Sequence, residues 1–549
     1  MIMTRNDALD AEEKYKSDVE KTAEYVEFFD ILETINNVGN DEVFTPRKVV
    51  NRMLDSLPEE VWSNPDYRWL NPATKTGIFE REIAIRLDAG LADLIPDTEA
   101  RRKHILQDMI FSIGQTKFTA NVARRTLYYC CQANRPCDRI MEDGHYVNGY
   151  AIGNGTWFDD AEGNIKTPCS DHLIKKGKCV YCGIAENSKY LDANQREKYS
   201  YDFIHCGPGD ELQTYLANRF FKGDKSVKFD VIIGNPPYQL DDGGNGSSAM
   251  PIYQKFVMQA LSLSPRFISM VIPTRWYAGG KGLKEFREMM LENDSICRLV
   301  DFVNGKDCFP ESSTGGICYF LIDRDYHGEC IITNVSGIHE TTSSRYLSNH
   351  NVLIRYNVAI PILNKVRALN EDTLDNLVLS RNPFGLNTAF RGQKTSDAAH
   401  PLSVLSSTGI TFCSEDDIKH GHSLVNQYKV VLSYATAEHA GEPAKDGRFT
   451  VTSTCKILNP GEICTETYLV LYSSDSLDHI RNYISYLNTK FYRFLLLLAI
   501  SSIHLSKEKF QFIPVQDFSH PYTDDDLNQK YGLSEEEIAF IDGLIKEKV

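Results

Sequence analysis

Lys228 to Ser248 reads KFDVIIGNPPYQLDDGGNGSS. A short apolar run, Phe229 to Ile233, ends in Gly234-Asn235-Pro236-Pro237-Tyr238. Two successive prolines cannot donate backbone hydrogen bonds, so a buried strand must stop there. The Gly/Asn/Asp/Ser segment behind them is a loop. A turn stiffened by prolines holds the Asn235 amide and a backbone carbonyl in fixed directions. Such a pair can accept both hydrogens of an exocyclic amine, and the Tyr238 ring can stack on the flat base that bears it.

The same strand signal recurs on both sides. YRWLNPATKTGIFEREIAIRL, Tyr67 to Leu87, reads as strand, tight loop and helix. DMIFSIG, Asp108 to Gly114, is a second strand, followed by the helical KFTANVARRTLYYC. Downstream come IYQKFVMQALSL (helix), FISMVIP (strand), GLKEFREMML (helix), CRLVDFV (strand) and GICYFLIDR (strand). Strands alternating with helices predict an α/β fold, a doubly wound and mostly parallel sheet. About 95 residues separate the second helix from the FDVIIG strand, where a crossover unit needs about 30. An insertion is expected there, roughly Cys130 to His205. After Asn334 the alternation stops, and SGIHETTSSR reads as a linker. The expected division is therefore a helical segment over 1–36, the sheet domain over 37–335, and an α+β domain with a helical C-terminus over 340–549.

The chain has 549 residues, a net charge of -16 and 14 cysteines. At 62.3 kDa it is too long for one ordinary domain. So acidic a chain does not hold nucleic acid by bulk charge, and a nucleic-acid partner must meet a local basic surface. Residues 1–30 lack the apolar core of a cleavable signal. The longest apolar run, FLLLLAISSI (Phe494 to Ile503), is too short to span a bilayer and reads as a buried helix. No membrane partner is expected, and a reducing cytoplasm makes the cysteines thiols or metal ligands.

CSDHLIKKGKCVYCG places Cys169, His172, Cys179 and Cys182 at zinc-ligand spacing. A structural zinc is expected. The fourth ligand stays open between Cys169, Cys137 and His205.

Asn71-Pro72-Ala73-Thr74-Lys75-Thr76-Gly77 is a small-residue loop between the first strand and first helix. At that place α/β sheets bind nucleotide-like ligands, on free backbone N–H groups at a helix N-terminus. The pattern is neither GxxxxGK[ST] nor GxGxxG, which disfavours ATP and NAD. Asn235 lies at the end of a later strand and faces the same crevice. Upstream, Thr45-Pro46 reads as a helix start, with Thr45 as the cap and Pro46 in the first turn.

Together these motifs resemble the gamma class of S-adenosylmethionine-dependent DNA adenine-N6 methyltransferases. Asn235-Pro236-Pro237-Tyr238 resembles their catalytic motif, and Asn71 to Phe79 (NPATKTGIF) their cofactor motif. Phe44-Thr45-Pro46 resembles their N-terminal cofactor contact. SSAMPIYQKFV, FISMVIPTRWY and CFPESSTGGICYFLI resemble later catalytic-domain motifs. The resemblance covers about Glu42 to Asp323 and is nearest to stand-alone modification methylases of restriction-modification systems. It implies a Rossmann-like methyltransferase domain with a C-terminal DNA-recognition domain.

The resemblance further implies S-adenosylmethionine as cofactor, held by Phe44, Thr45, Pro46, Asn71, Pro72, Ala73, Thr74, Gly77, Phe79, Gln115 and Asn235. The implied partners are double-stranded DNA and a separately encoded restriction endonuclease. An adenine would be flipped out of the duplex, with Tyr238 on one face and Phe309 as the second aromatic contact. Two departures stand out. Lys75 occupies the place of a glycine and is expected to fold away to solvent. The strand end FSIGQTK lacks the acid that takes the ribose hydroxyls, leaving Gln115, Thr116 or an acid from elsewhere. From these departures comes the alternative of a DNA-binding defence subunit with a degenerate cofactor site; a further alternative is an RNA or protein methyltransferase, since the Asn-Pro-Pro-Tyr tetrapeptide alone is also found in those families. In the C-terminal domain RNPFGLNTAFRGQK, with Arg381, Arg391, Phe384 and Phe390, reads as a loop able to meet phosphates and bases.

Overall fold

The computed structural model describes residues 44–129, 157–158, 162–187, 201–226, 228–239, 250–278, 282–310, 316–437, 443–444, 446–500 and 504–548, with the short strands Arg139–Ile140 and Tyr146–Val147. The helix expected before residue 37 lies outside the described residues, as does Cys137.

One nine-stranded sheet organises the first part of the chain. Its strands are β1 (Trp69–Thr74), β2 (Ile110–Gly114), β3 (Ile165–Lys166), β4 (Val231–Gly234), β5 (Phe267–Pro273), β6 (Ile296–Phe302), β7 (Ile317–Asp323), β8 (Cys330–Ser336) and β9 (His339–Arg345). Across the sheet they run β3-β2-β1-β4-β5-β7-β6-β8-β9. β1 to β5 pair in parallel. β7 lies antiparallel between β5 and β6, and β8 joins β6 in parallel. The doubly wound, mostly parallel sheet is present.

Side chains alternate across the strands to feed two cores. Leu70, Phe111, Ile232 and Ile268 point to one face. It is covered by α4 (Asp210–Phe220), α5 (Tyr253–Ser262) and α6 (Lys284–Glu292). Trp69, Ile110, Val231, Ile233 and Phe267 point to the other, under α1 (Arg47–Leu54), α2 (Ile78–Gly90) and α3 (Lys117–Arg124). Strands buried on both faces read as continuous apolar runs, which is why they were visible in the sequence.

Two expectations need correction. SGIHETTSSR is no linker: Gly337, at φ +60°, turns the chain into β9, which pairs with β8 in an antiparallel hairpin. The sheet thus runs to Arg345, beyond the expected boundary at 335. β9 is a polar edge strand, HETTSSR, exposed along most of its length, so it lacks the apolar pattern that would betray it. The insertion is also not wholly separate, because β3 inside it adds the opposite edge strand beside β2.

The remainder packs two three-stranded sheets with helices. The segment Lys490–Ala499 is a helix buried from Phe491 onward, as expected of FLLLLAISSI. The helical C-terminus consists of two helices, each opened by a capping box at Thr523 or Ser534, with Gly532 between them. At the junction with the sheet domain, Arg355 grips Asp301 of β6 through Nε–Oδ2 (2.8 Å) and Nη2–Oδ1 (3.0 Å). No helix among the described residues is long and apolar enough to cross a membrane.

Candidate active site

From β1 the chain moves outward to β2 and β3, then returns to β4 on the other side of β1. This reversal opens a crevice at the carboxyl ends of β1 and β4, the place where open α/β sheets bind ligands. The Asn71–Gly77 loop and Asn235–Tyr238 meet there. Asn71 Oδ1 accepts from the Ala73 amide at 3.1 Å, a local turn that shapes the loop. Gly77 enters α2 at φ +79°, and a Cβ there would lie 2.9 Å from the Ala123 backbone. Gly234 is needed for a different reason: its Cβ would sit 2.5 Å from Asn71 Oδ1. The missing side chain lets the ends of β1 and β4 close on each other.

Phe44, Thr45 and Pro46 lead into α1. Pro46, not Thr45, is the residue before the first helical turn, and no side chain caps it. Thr45 serves another purpose, because its Oγ1 accepts from Asn235 Nδ2 at 3.0 Å. That bond fixes the orientation of the buried Asn235 amide. α1 is clamped onto α2 by Glu82. Its Oε1 receives Arg47 Nε (3.0 Å) and Arg81 Nε (3.0 Å), and its Oε2 receives Asn51 Nδ2 (3.2 Å). Thr45 is therefore held in place from behind.

Thr45, Asn71, Ala73, Thr74, Gly77, Phe79 and Asn235 line one recess, together with Glu80. Pro72 is buried beside them. Lys75 does not fold away to solvent; it is buried in the same wall. Gln115 follows β2, tied through its amide to the Thr74 carbonyl at 3.2 Å. Its side chain is buried, and neither amide atom has a hydrogen-bond partner. Thr116 is committed elsewhere, as the capping box of α3 with Thr119.

Sequence reading missed Glu80. It sits in the first turn of α2, where an acid reads as an ordinary helix-dipole partner. In the fold it is buried, with Oε1 receiving Ser112 Oγ (2.6 Å) and Asn71 Nδ2 (2.9 Å). Its Oε2 is buried without a partner. Burial pushes the carboxyl above its usual range, against the hydrogen bonds from Ser112 and Asn71. On this recess Glu80 Oε2 and Thr74 Oγ1 are buried with no other protein partner, the Thr74 hydroxyl lying near enough to Glu80 to favour its ionised form, and the Gln115 side chain at the end of β2 is buried unpaired. Such atoms fit a polar, cationic ligand better than an empty core.

Pro236 and Pro237 are buried, and Tyr238 is half-buried. The Tyr238 carbonyl accepts from the Ile252 amide at 3.1 Å, so the chain returns to the crevice before α5. The residues between, 240–249, lie outside the described ones. Phe309 does come together with Tyr238, at 6.5 Å between ring centres and 63° between planes. The contact is edge-on and Phe309 is in the core, so the pair is not a ready-made slot with parallel walls. Burial raises the Tyr238 phenol well above its ordinary pKa.

This crevice can be set beside known proteins. Over 314 residues the chain is 47% identical to an uncharacterized adenine-specific methylase of Mycoplasma pneumoniae, covering 55% of this chain and 72% of that protein. The chain belongs to this adenine-specific methylase family. Residues 108–309 of the methylase match the Eco57I restriction-modification methylase family, so it is of restriction-modification type. Among solved structures it is similar to the type IIL restriction-modification enzyme MmeI in complex with DNA. There the identity is 10%, the TM-score 0.42, and the coverage 85% of this chain and 64% of that one. A chain of a type I restriction-modification system matches at 13% identity and TM-score 0.31, over 54% of this chain and 46% of that one. The methylase thus spans about half to two thirds of the length of these solved chains.

Two further predicted features of the methylase are rearranged by the fold. His172, Cys179 and Cys182 converge, but the fourth member of the group is His205. Cys169 stands apart. Its amide donates to the Asp202 carboxylate (3.0 Å), and its thiol lies 4.0 Å from the Tyr215 hydroxyl. In RNPFGLNTAFRGQK, Phe384 is buried in a core of its own and is not presented to a ligand. Arg381 stacks 4.5 Å over Tyr434 and pairs with Glu466. Arg391 donates to the Thr388 and Phe390 carbonyls within the loop. Lys394 is exposed beyond them.

Proposed function

We propose that the methylase transfers a methyl group from S-adenosylmethionine to N6 of an adenine flipped out of double-stranded DNA, at a specific site, as the modification component of a restriction-modification system. The supporting observation is the Thr45–Asn235 hydrogen bond. It joins the N-terminal motif to the Asn235–Tyr238 turn, and Asn71, packed against Gly234, brings the cofactor loop to the same crevice.

S-adenosylmethionine supplies an electrophilic methyl group when bound. Glu80 provides a carboxylate for its cationic part, and Gln115, at the end of β2 where the family's acid is missing, offers amide atoms for its hydroxyls. The Asn235 Oδ1 and the Pro236 carbonyl accept from the two N6 hydrogens of the adenine. They orient the amine and draw electron density onto its nitrogen. Tyr238 stacks on the base. No side-chain base or covalent nucleophile is required, and orientation with electrostatics carries the rate. DNA contacts fall to the C-terminal domain, through exposed cations such as Lys394, and a separately encoded endonuclease is the partner of the system.

Lys75, buried in the cofactor wall, keeps a second reading alive: a DNA-binding defence subunit that no longer methylates. Sequencing DNA from expressing cells with base-modification detection separates the two. N6-methyladenine at one sequence motif, absent with Asn235→Ala, is expected. No modified adenine, and no calorimetric binding of S-adenosylmethionine with or without duplex DNA, would leave only the second.

A further inference from the structure

The insertion contains a small hairpin, Ile174–Lys175 paired with Lys178–Cys179. Gly177 turns it at φ +75°. A second tight turn follows. The Gly183 amide donates to the Cys179 carbonyl at 2.9 Å and the Cys179 amide to the Ile184 carbonyl at 2.8 Å, with Gly183 at φ +86°. These turns aim the thiols of Cys179 and Cys182 at one point. His172 comes from the irregular segment that leads into the hairpin. His205 arrives from a different part of the chain, after the short helix Asp202–Ile204.

One ligand atom from each of these four residues lies within 4.8 Å of all the others. Cys182 Sγ and His172 Nδ1 are 3.4 Å apart. A tetrahedral zinc with Zn–S of about 2.3 Å and Zn–N of about 2.0 Å would set sulfur and nitrogen about 3.5 Å apart. Cys179, Cys182 and His205 are buried, and the cysteines are free thiols. Both ring nitrogens of His205 are buried without a hydrogen-bond partner, which is unusual for an imidazole unless an ion takes one of them.

We propose that His172, Cys179, Cys182 and His205 hold a structural zinc ion that staples the insertion to the catalytic domain alongside α5. His205 belongs to the segment that leans on α5. There Phe203 stacks on Phe256 at 5.9 Å, and Gln259 donates to the Cys206 carbonyl at 3.0 Å. On the other side Lys255 of α5 donates to the carbonyl of Tyr181, the residue just before Cys182. The ion therefore ties two segments about thirty residues apart to the helix that follows the Asn235–Tyr238 turn. All four positions of a tetrahedral zinc are filled by protein, so no open position remains for a reactant.

The test uses the full chain and needs no methylation. The protein is purified from zinc-supplemented cells and its metal measured by mass spectrometry. Then the ion is exchanged for cobalt(II) and its visible spectrum recorded. The expected result is about one zinc per chain and the intense bands of tetrahedral cobalt with thiolate ligands. Cys169→Ser keeps the ion, His205→Ala loses it, and His205→Cys, which restores a ligand, regains it. Limited proteolysis should cut the insertion faster in His205→Ala than in the parent. A parent chain that binds neither zinc nor cobalt overturns the proposal. So does loss of the ion in Cys169→Ser with retention in His205→Ala.

Discussion

Glu80→Gln tests whether a buried acid beside the recess serves the cofactor. The substitution keeps the shape, and a Gln Oε1 still receives Asn71 and Ser112 as Glu80 Oε1 does. What it removes is the charge on the partnerless Oε2. A hydrogen bond to a charged group is worth about 1.5–3 kcal/mol. At about 1.4 kcal/mol per decade, S-adenosylmethionine should bind about 10- to 150-fold more weakly. Calorimetry on the pure protein reads this directly. The effect on folding has the opposite sign. Burial raises the folded-state pKa of this acid, so the ionised carboxylate burdens the fold at neutral pH. The burden is fully present above the folded pKa and disappears as pH falls below the unfolded one. Glu80→Gln should therefore leave Tm unchanged or raise it at neutral pH, with the difference fading in acid. Parent affinity should decline as acid protonates Glu80, while the variant shows no such decline. Binding within roughly threefold of the parent, or a lowered Tm at neutral pH, would refute the assignment.

Asn235→Ala should lower methylation on the order of 100- to 1,000-fold, the cost of losing one preorganised hydrogen-bonding group, read as tritium transfer from labelled cofactor to duplex DNA. Asp301→Ala strands Arg355 in the junction beneath the C-terminal domain. It should cost about 3–5 kcal/mol in urea unfolding with calorimetric cofactor affinity unchanged. Lys394→Ala should weaken DNA binding evenly across sequences and reduce the salt slope by about one, measured by fluorescence anisotropy at several ionic strengths.

How much of this was legible follows from what each element asks of its residues. β1, β2, β4 and β5 are buried on both faces, and their apolar runs announced themselves. β9 carries polar residues on both faces, so nothing in HETTSSR distinguished it from a linker. The turn at Asn235 was legible because two prolines leave the backbone few choices. Thr45 was misassigned because the Thr-Pro signature of a helix start is local, whereas its partner Asn235 lies 190 residues away. His205 was only one of three options for the same reason: spacing joins Cys179 to Cys182 but says nothing of a ligand arriving from the far end of the insertion. Glu80 was invisible because a first-turn acid is common, and only the fold reveals that Ser112 and Asn71 close over it.

Asn71, at the head of the cofactor loop, gains a physical sense from this geometry. An acid at position 71 would face Glu80 across 2.9 Å, and two carboxylates that close in a buried site cannot both stay ionised. With Asn71 donating instead, Glu80 keeps one doubly hydrogen-bonded oxygen and a second, buried one beside the recess. Asn71 Oδ1 in turn fills the space that Gly234 vacates, directly before Asn235. The carboxylate proposed for the methyl donor and the amide proposed for the target amine are thus joined through Asn71 and Gly234. Thr45, anchored by α1 through Glu82, braces Asn235 from the other side. A donor that orders Glu80 and Asn71 must also order Asn235. Cofactor binding and positioning of the adenine amine are then coupled through contacts already present in the fold, with Asn71 as the shared member.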